Sequence, residues 1–146
     1  MTGLELLALL VFGHVVGDYP MQGQFIALGK NRTQPLPGTP WYQILTAHAI
    51  MHGGLVAAAV VLAALSGYPC LFALALPLAV AETACHWAID DWKCRREARC
   101  RKRYECEELE EQRIFAYDLD QALHLACKIT WAGVCVFVAG LPLFAR

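Results

Sequence analysis

The chain has 146 residues, 58% of them hydrophobic, with a mean hydropathy of +0.41 and a formal net charge of -1. That length suits one domain, and the apolar content exceeds that of ordinary soluble folds, which points to an integral membrane protein. No nucleic-acid partner is expected. Seven cysteines, odd in number and without a C-x-x-C spacing, argue against a disulfide framework and for free thiols.

Four apolar segments, about residues 3–19, 41–66, 69–92 and 117–144, are expected as transmembrane helices, since a span needs about 20 residues. The first is short, but Glu5 where a signal peptide would be basic, together with His14 and Asp18, favours a retained helix. It ends in His14-Val-Val-Gly-Asp18-Tyr-Pro-Met-Gln22, and Pro20 should stop or kink it there. Gln22 continues the His14/Asp18 face only if the helix survives that proline. Phe25, Ile26 and Leu28, followed by Lys30 and Arg32, read as a short segment at the membrane interface, and Gln34 to Pro40 as a non-helical connector.

Trp41 and Tyr42 mark re-entry into the membrane. The second helix carries His48 and His52, and its Gly53 and Gly54 should admit a neighbouring helix closely. Ser66 to Pro69 is a tight turn, and the third helix begins near Pro69, a tolerated first-turn position. This helix ends in Glu82, His86 and Asp90, spaced four apart and therefore on one face.

Residues 93–113 form a charged loop between the third and fourth spans, basic to Arg103 and acidic from Glu105 to Glu111. Pairs such as Arg101 with Glu105 and Arg103 with Glu107 would suit an exposed helix in that hairpin. Its basic half could instead hold anionic headgroups. The fourth helix opens with Asp120-Gln-Ala-Leu-His124, and Lys128 continues that face, either to contact a substrate phosphate or to snorkel to the interface.

Every histidine thus belongs to an i, i+4 pair with another His or an Asp: His14/Asp18, His48/His52, His86/Asp90 and Asp120/His124. In an antiparallel four-helix transmembrane bundle these pairs fall at four helix ends on one side of the membrane. Ionisable groups within spans cost at least about 2.5 kcal/mol each, so such a layer points to function. Helical bundles build metal sites from facing His and carboxylate side chains in this way. The eight paired residues are therefore the candidate metal ligands, for zinc first and manganese or iron otherwise, with one to three ions accommodated.

Glu82 and Asp90 are the candidate catalytic carboxylates, with Glu82 open between ligand, orienting group and general base. Gln22, Gln121 and Lys128 are candidates to support ligands or touch substrate. Ten of the twelve Lys and Arg residues lie on the side of the pairs, which places that layer and the charged hairpin in the cytoplasm and both termini outside.

The motifs His14-x3-Asp18-Tyr-x2-Gln22, His48-x3-His52-Gly, Glu82-x3-His86-x3-Asp90 and Asp120-Gln-x2-His124 resemble the bacterial and phage membrane family termed domain of unknown function 3307. This resemblance spans nearly the whole chain and implies a multi-pass protein of the bacterial inner membrane. More remotely, the paired motifs look like those of membrane-bound metal-dependent hydrolases and of the helical zinc phospholipase C and P1 nuclease group. That likeness implies hydrolysis of a phosphoester, here of a lipid or lipid-linked substrate. The chain is much shorter than members of that group and lacks their N-terminal tryptophan ligand. Rival readings are a transporter of divalent ions or protons, and a membrane interaction protein whose stripes surround a structural metal.

Overall fold

The computed structural model describes residues 1–33, 36–104 and 106–143, and of Cys106 the backbone alone. Several expectations fall outside these residues: the start of the connector at Gln34 and Pro35, the Arg101–Glu105 pair, the end of the fourth span at Phe144, and Arg146 as the far-side cation. Among the described residues the chain is all-helical, without strands. Its helices are α1 (Gly3–Asp18), α2 (Gly23–Gly29), α3 (Trp41–Leu65), α4 (Phe72–Arg103) and α5 (Cys106–Ala139), with a single 3-10 turn at Pro69–Leu71 leading into α4.

Three stretches, Trp41–Leu65, Pro69–Arg103 and Glu107–Ala139, are long and apolar enough to cross a membrane. The pair α1 and α2 would make a fourth as one broken span, bent by 86°. Large apolar side chains such as Phe12, Leu76, Val80 and Phe137 face outward, as in a protein whose solvent is lipid.

Local chemistry explains the helix ends. A capping box starts α1: Thr2 Oγ1 accepts from the Glu5 N–H at 3.2 Å, and Glu5 Oε2 accepts from the Thr2 N–H at 2.8 Å. The helix stops at Asp18, two residues before Pro20, so Gln22 does not continue its face. The chain turns into α2 through Gly23, whose φ of +56° favours glycine.

The charged segment departs from the expected loop. The backbone is extended at Tyr104, while residues 93–103 continue α4 and residues 106–113 open α5. Arg, Lys and Glu are strong helix formers, and here they lengthen the two helices. The break separates Arg103 from Glu107, which removes the i, i+4 relation expected for them. Cys94 and Cys100 are buried along α4 rather than lying in a loop, and the described cysteines are free thiols.

Packing forms a ring: α1 touches α3 and α5, and α4 touches α3 and α5. Each of the four long helices, α1, α3, α4 and α5, buries a stripe of four-residue repeats that holds both polar and apolar residues. On α4 the stripe reads Leu78, Glu82, His86, Asp90, Cys94; on α5 it reads Ala116, Asp120, His124, Lys128, Ala132. The apolar parts, Leu6, Leu10, Val56, Val60, Ala63, Leu71, Leu78, Ala132 and Cys135 among them, join in one cluster.

Gly53 sets the closest approach of α3 to α4, because a Cβ there would lie 2.6 Å from the Ala79 carbonyl oxygen. Gly54 faces open space and plays no such part. Gly53→Val should therefore destabilise the protein by about 1–3 kcal/mol through overpacking. Gly54→Ala should instead stabilise the protein by up to about 1 kcal/mol, because alanine is the better helix former and its Cβ meets nothing. Unfolding of both variants in detergent checks the contrast.

Candidate metal centre

The four helix pairs meet in one layer, as their spacing implies. Asp18 at the end of α1 reaches α3, where its Oδ1 lies 3.1 Å from His52 Nε2 and 3.4 Å from His48 Nε2. From α4, His86 Nε2 stands 3.2 Å from His48 Nε2 and 4.0 Å from Asp18 Oδ1. Asp90 joins α4 to α3 and α5, with Oδ2 3.6 Å from His48 Nε2 and Oδ1 3.9 Å from His124 Nε2. Asp120 closes the circle on α5, its Oδ1 lying 3.6 Å from His124 Nε2.

The rings crowd together. His52 and His86 stack with centroids 3.7 Å apart, His86 and His124 stand at 4.1 Å, and His14 and His124 at 4.8 Å. Gly17 lets α1 come this close, since a Cβ there would lie 2.6 Å from His52 Nε2.

Three overlapping sets bring donor atoms within 4.8 Å of one another: Asp18/His48/His52/His86, His14/His86/His124 and Asp90/Asp120/His124. Ligands around one tetrahedral zinc, at about 2.0–2.1 Å from the ion, stand about 3.3 Å apart. Three separations in the first set, 3.1, 3.2 and 3.4 Å, are close to that spacing, and the fourth, between Asp18 and His86, is wider at 4.0 Å. Its side chains come from α1, α3 and α4, and all three histidines are buried.

Hydrogen bonds within the protein do not satisfy the layer. His52 Nε2 lies near Asp18 but off the hydrogen-bonding direction, and both nitrogens of His124 and Oδ1 of Asp120 also lack partners. A buried polar atom left this way costs about 1–3 kcal/mol, and a cation among these donors would satisfy several at once. The donor set therefore fits a metal.

Glu82 lies at the buried end of the α4 stripe. Lys128 donates to its Oε1, Trp131 Nε1 donates to its Oε2 at 2.8 Å, and His86 Nδ1 lies 3.5 Å from Oε1. Both oxygens of Glu82 are thus engaged, and His86 Nδ1 stands beside Oε1 without forming a hydrogen bond, while its Nε2 faces the cluster. Lys128 neither reaches an interface nor borders an opening; it is 1% exposed and pairs with Glu82. Gln121 Nε2 donates to Asp120 Oδ2 at 3.1 Å and to Asp18 Oδ2 at 3.4 Å, and its Oε1 lies 3.4 Å from His14 Nε2.

Above the layer an open cleft of about 380 Å³ is bordered by Asp18, Asp90 and Asp120 together with Tyr19, Gln22, Lys30, Lys93 and Tyr117. Lys30 turns inward to Asp90 Oδ2 at 2.7 Å and Gln22 Oε1 at 2.9 Å, and Lys93 reaches Asp120 Oδ2 at 3.0 Å. Neither lysine was singled out from the sequence as part of the site. Lys93 sits three residues after Asp90 on the same helix side, a signal that was available. Lys30 lies in a linker, where no periodicity points inward.

Asp91 is a further departure: it is buried, accepts from Arg32 Nη1 at 3.2 Å and pairs with Arg95 one turn on. Arg32, itself exposed, thus ties the linker to α4. The spacing of Asp91 and Arg95 was legible as an i, i+4 ion pair.

Removing one partner of a buried ion pair leaves an uncompensated charge. Lys128→Met should therefore cost about 3–5 kcal/mol, and adding Glu82→Gln should recover much of that loss. A double-mutant cycle on unfolding in detergent measures the coupling.

No curated protein and no solved structure matches the chain. A family model does match, over residues 6–143, described as "Protein of unknown function (DUF3307)", and the chain belongs to that family.

Proposed function

We propose that this protein is a single-domain, antiparallel four-helix membrane metalloprotein that hydrolyses a phosphoester of a lipid or lipid-linked substrate. One observation carries the reading: His and Asp side chains from four helices converge in three overlapping donor sets beneath an open cleft. Zinc is the preferred ion for this mixture of imidazole and carboxylate, with manganese or iron as substitutes. Ions bound there would supply Lewis acidity and a water of lowered pKa, which is the chemistry of phosphoester hydrolysis.

The protein's own residues divide the remaining work. Asp18, His48, His52 and His86 form the most complete donor set, and Asp90, Asp120 and His124 the set nearest the cleft. Glu82 acts as a positioning residue through His86, while Lys128 and Trp131 hold it in place. Gln121 ties Asp18 to Asp120 and so couples two donor sets. Asp90 borders the cleft beside Asp18 and Asp120, and as a donor there it would hold the cation against the substrate.

The excess of Lys and Arg near the layer supports a cytoplasmic position for it and for the hairpin of α4 and α5 in a bacterial inner membrane, with both termini outside. A transporter would require polar groups beyond this layer. The neighbouring buried cluster around Leu10, Val60 and Cys135 is apolar among the described residues, which favours the hydrolase.

Protein purified in detergent should carry one to three equivalents of zinc, manganese or iron by elemental analysis, and a metal-free preparation competent to fold would sink the reading. His86 belongs to two donor sets and His52 to one. His86→Ala should therefore lose more metal than His52→Ala, and should abolish phosphoesterase activity while helical content by circular dichroism stays unchanged. Collapse of the fold in His86→Ala would instead indicate a structural metal.

A further inference from the structure

The two lysines of the cleft have no part in the donor sets, yet each sits directly on one of their carboxylates. We propose that Lys30 and Lys93 form the anion-recognition pair of this site and bind the phosphoryl group of the substrate; the inference rests on the metal-dependent reading above and names the residues that recognise its substrate.

Reach comes first. The side chains of Lys30 and Lys93 are 13% and 22% exposed and border the cleft, whereas Lys128 is 1% exposed and closed off. Each cleft lysine also has a second hold that does not depend on its carboxylate. Lys30 donates to Gln22 Oε1, and the Lys93 ammonium lies 5.0 Å from the centre of the Tyr117 ring. These contacts keep both ammonium groups over the cleft when the carboxylates turn to a cation.

Charge then decides the ligand. Glu97 also borders the cleft, so once Asp90 and Asp120 are committed to a cation the two ammonium groups face that one carboxylate and keep a net positive charge, with three donors each. A phosphoryl group, with several acceptor oxygens spread in three dimensions, matches those donors better than a carboxylate with two oxygens in one plane.

Lys30 further points to where the phosphoryl group comes from. It caps the C-terminus of α2, a short helix whose Phe25 and Leu28 are 59% and 53% exposed. The segment that delivers the ammonium therefore presents apolar side chains outward, as a segment lying at the headgroup level does. The shared chemistry is a phosphoryl oxygen, whether from a lipid headgroup or from free phosphate.

The test is calorimetric titration of the zinc-loaded protein in detergent with inorganic phosphate, and separately with a short-chain phosphatidic acid below its micellar concentration. Lys30→Ala and Lys93→Ala should each weaken phosphate binding by about ten- to a hundredfold, as expected for loss of a charge-assisted hydrogen bond. Zinc content and helical content should stay unchanged, and Lys30→Arg should retain binding. Tighter binding of phosphatidic acid supports the pair with a lipid headgroup as source, and equal binding supports it with free phosphate.

Phosphate affinity that is the same in the double alanine variant as in the unaltered protein overturns the assignment. So does loss of zinc from either alanine variant, which would make the lysines mere partners of the carboxylates. Failure of the metal reading shows separately, as an unaltered protein that takes up no zinc.

Discussion

An ionisable group buried among helices must find a partner of opposite or complementary character, because the interior offers no water to take its place. Among the described residues ten polar or charged side chains are buried. All but Asp91 lie on four-residue repeats, so the four long helices turn these groups into one layer beside the apolar cluster. Segregation along the helix axis, rather than around it, is what lets a small bundle hold so many ionisable groups.

The close approach of the helices follows from that layering. Gly53 brings α3 against α4 at Ala79 and Thr83, and Gly17 brings α1 against the ring of His52. Without these two gaps in side-chain volume the imidazoles of α3 would stand too far from Asp18 and His86 to share a ligand. Small residues at helix crossings therefore do structural work whose consequence is chemical.

His86 holds the centre of the arrangement. It stacks on His52, faces His48 through Nε2, approaches Asp90, and is backed by Glu82 through Nδ1. Behind Glu82 stand Lys128 and Trp131, both from α5. The chain of contacts thus runs from the apolar layer to the cleft through one imidazole, and the proposed chemistry depends on that ring keeping its orientation. A carboxylate held by a buried ammonium is a firmer support than one facing water, since neither partner gains by leaving.

Much of this was legible in the amino-acid sequence. Apolar runs of sufficient length announce helices, and i, i+4 spacing of His and Asp announces shared faces, because both depend only on helical geometry within one segment. Pro20 likewise marks the end of α1, since the missing N–H is a local fact. Tertiary structure decided everything that depends on which faces meet. It tied Lys30 and Arg32 to Asp90 and Asp91, partners that the linker sequence alone does not name. It buried Lys128 against Glu82, although the same residue could have served an interface. It also made helix of the charged segment up to Arg103 and again from Cys106, because charge alone does not distinguish a solvated helix from a loop. The physical reason is common to these cases: a stripe on one helix is fixed by backbone repeat, whereas the partner of a long, flexible cation is fixed only when another element carries a carboxylate within its reach.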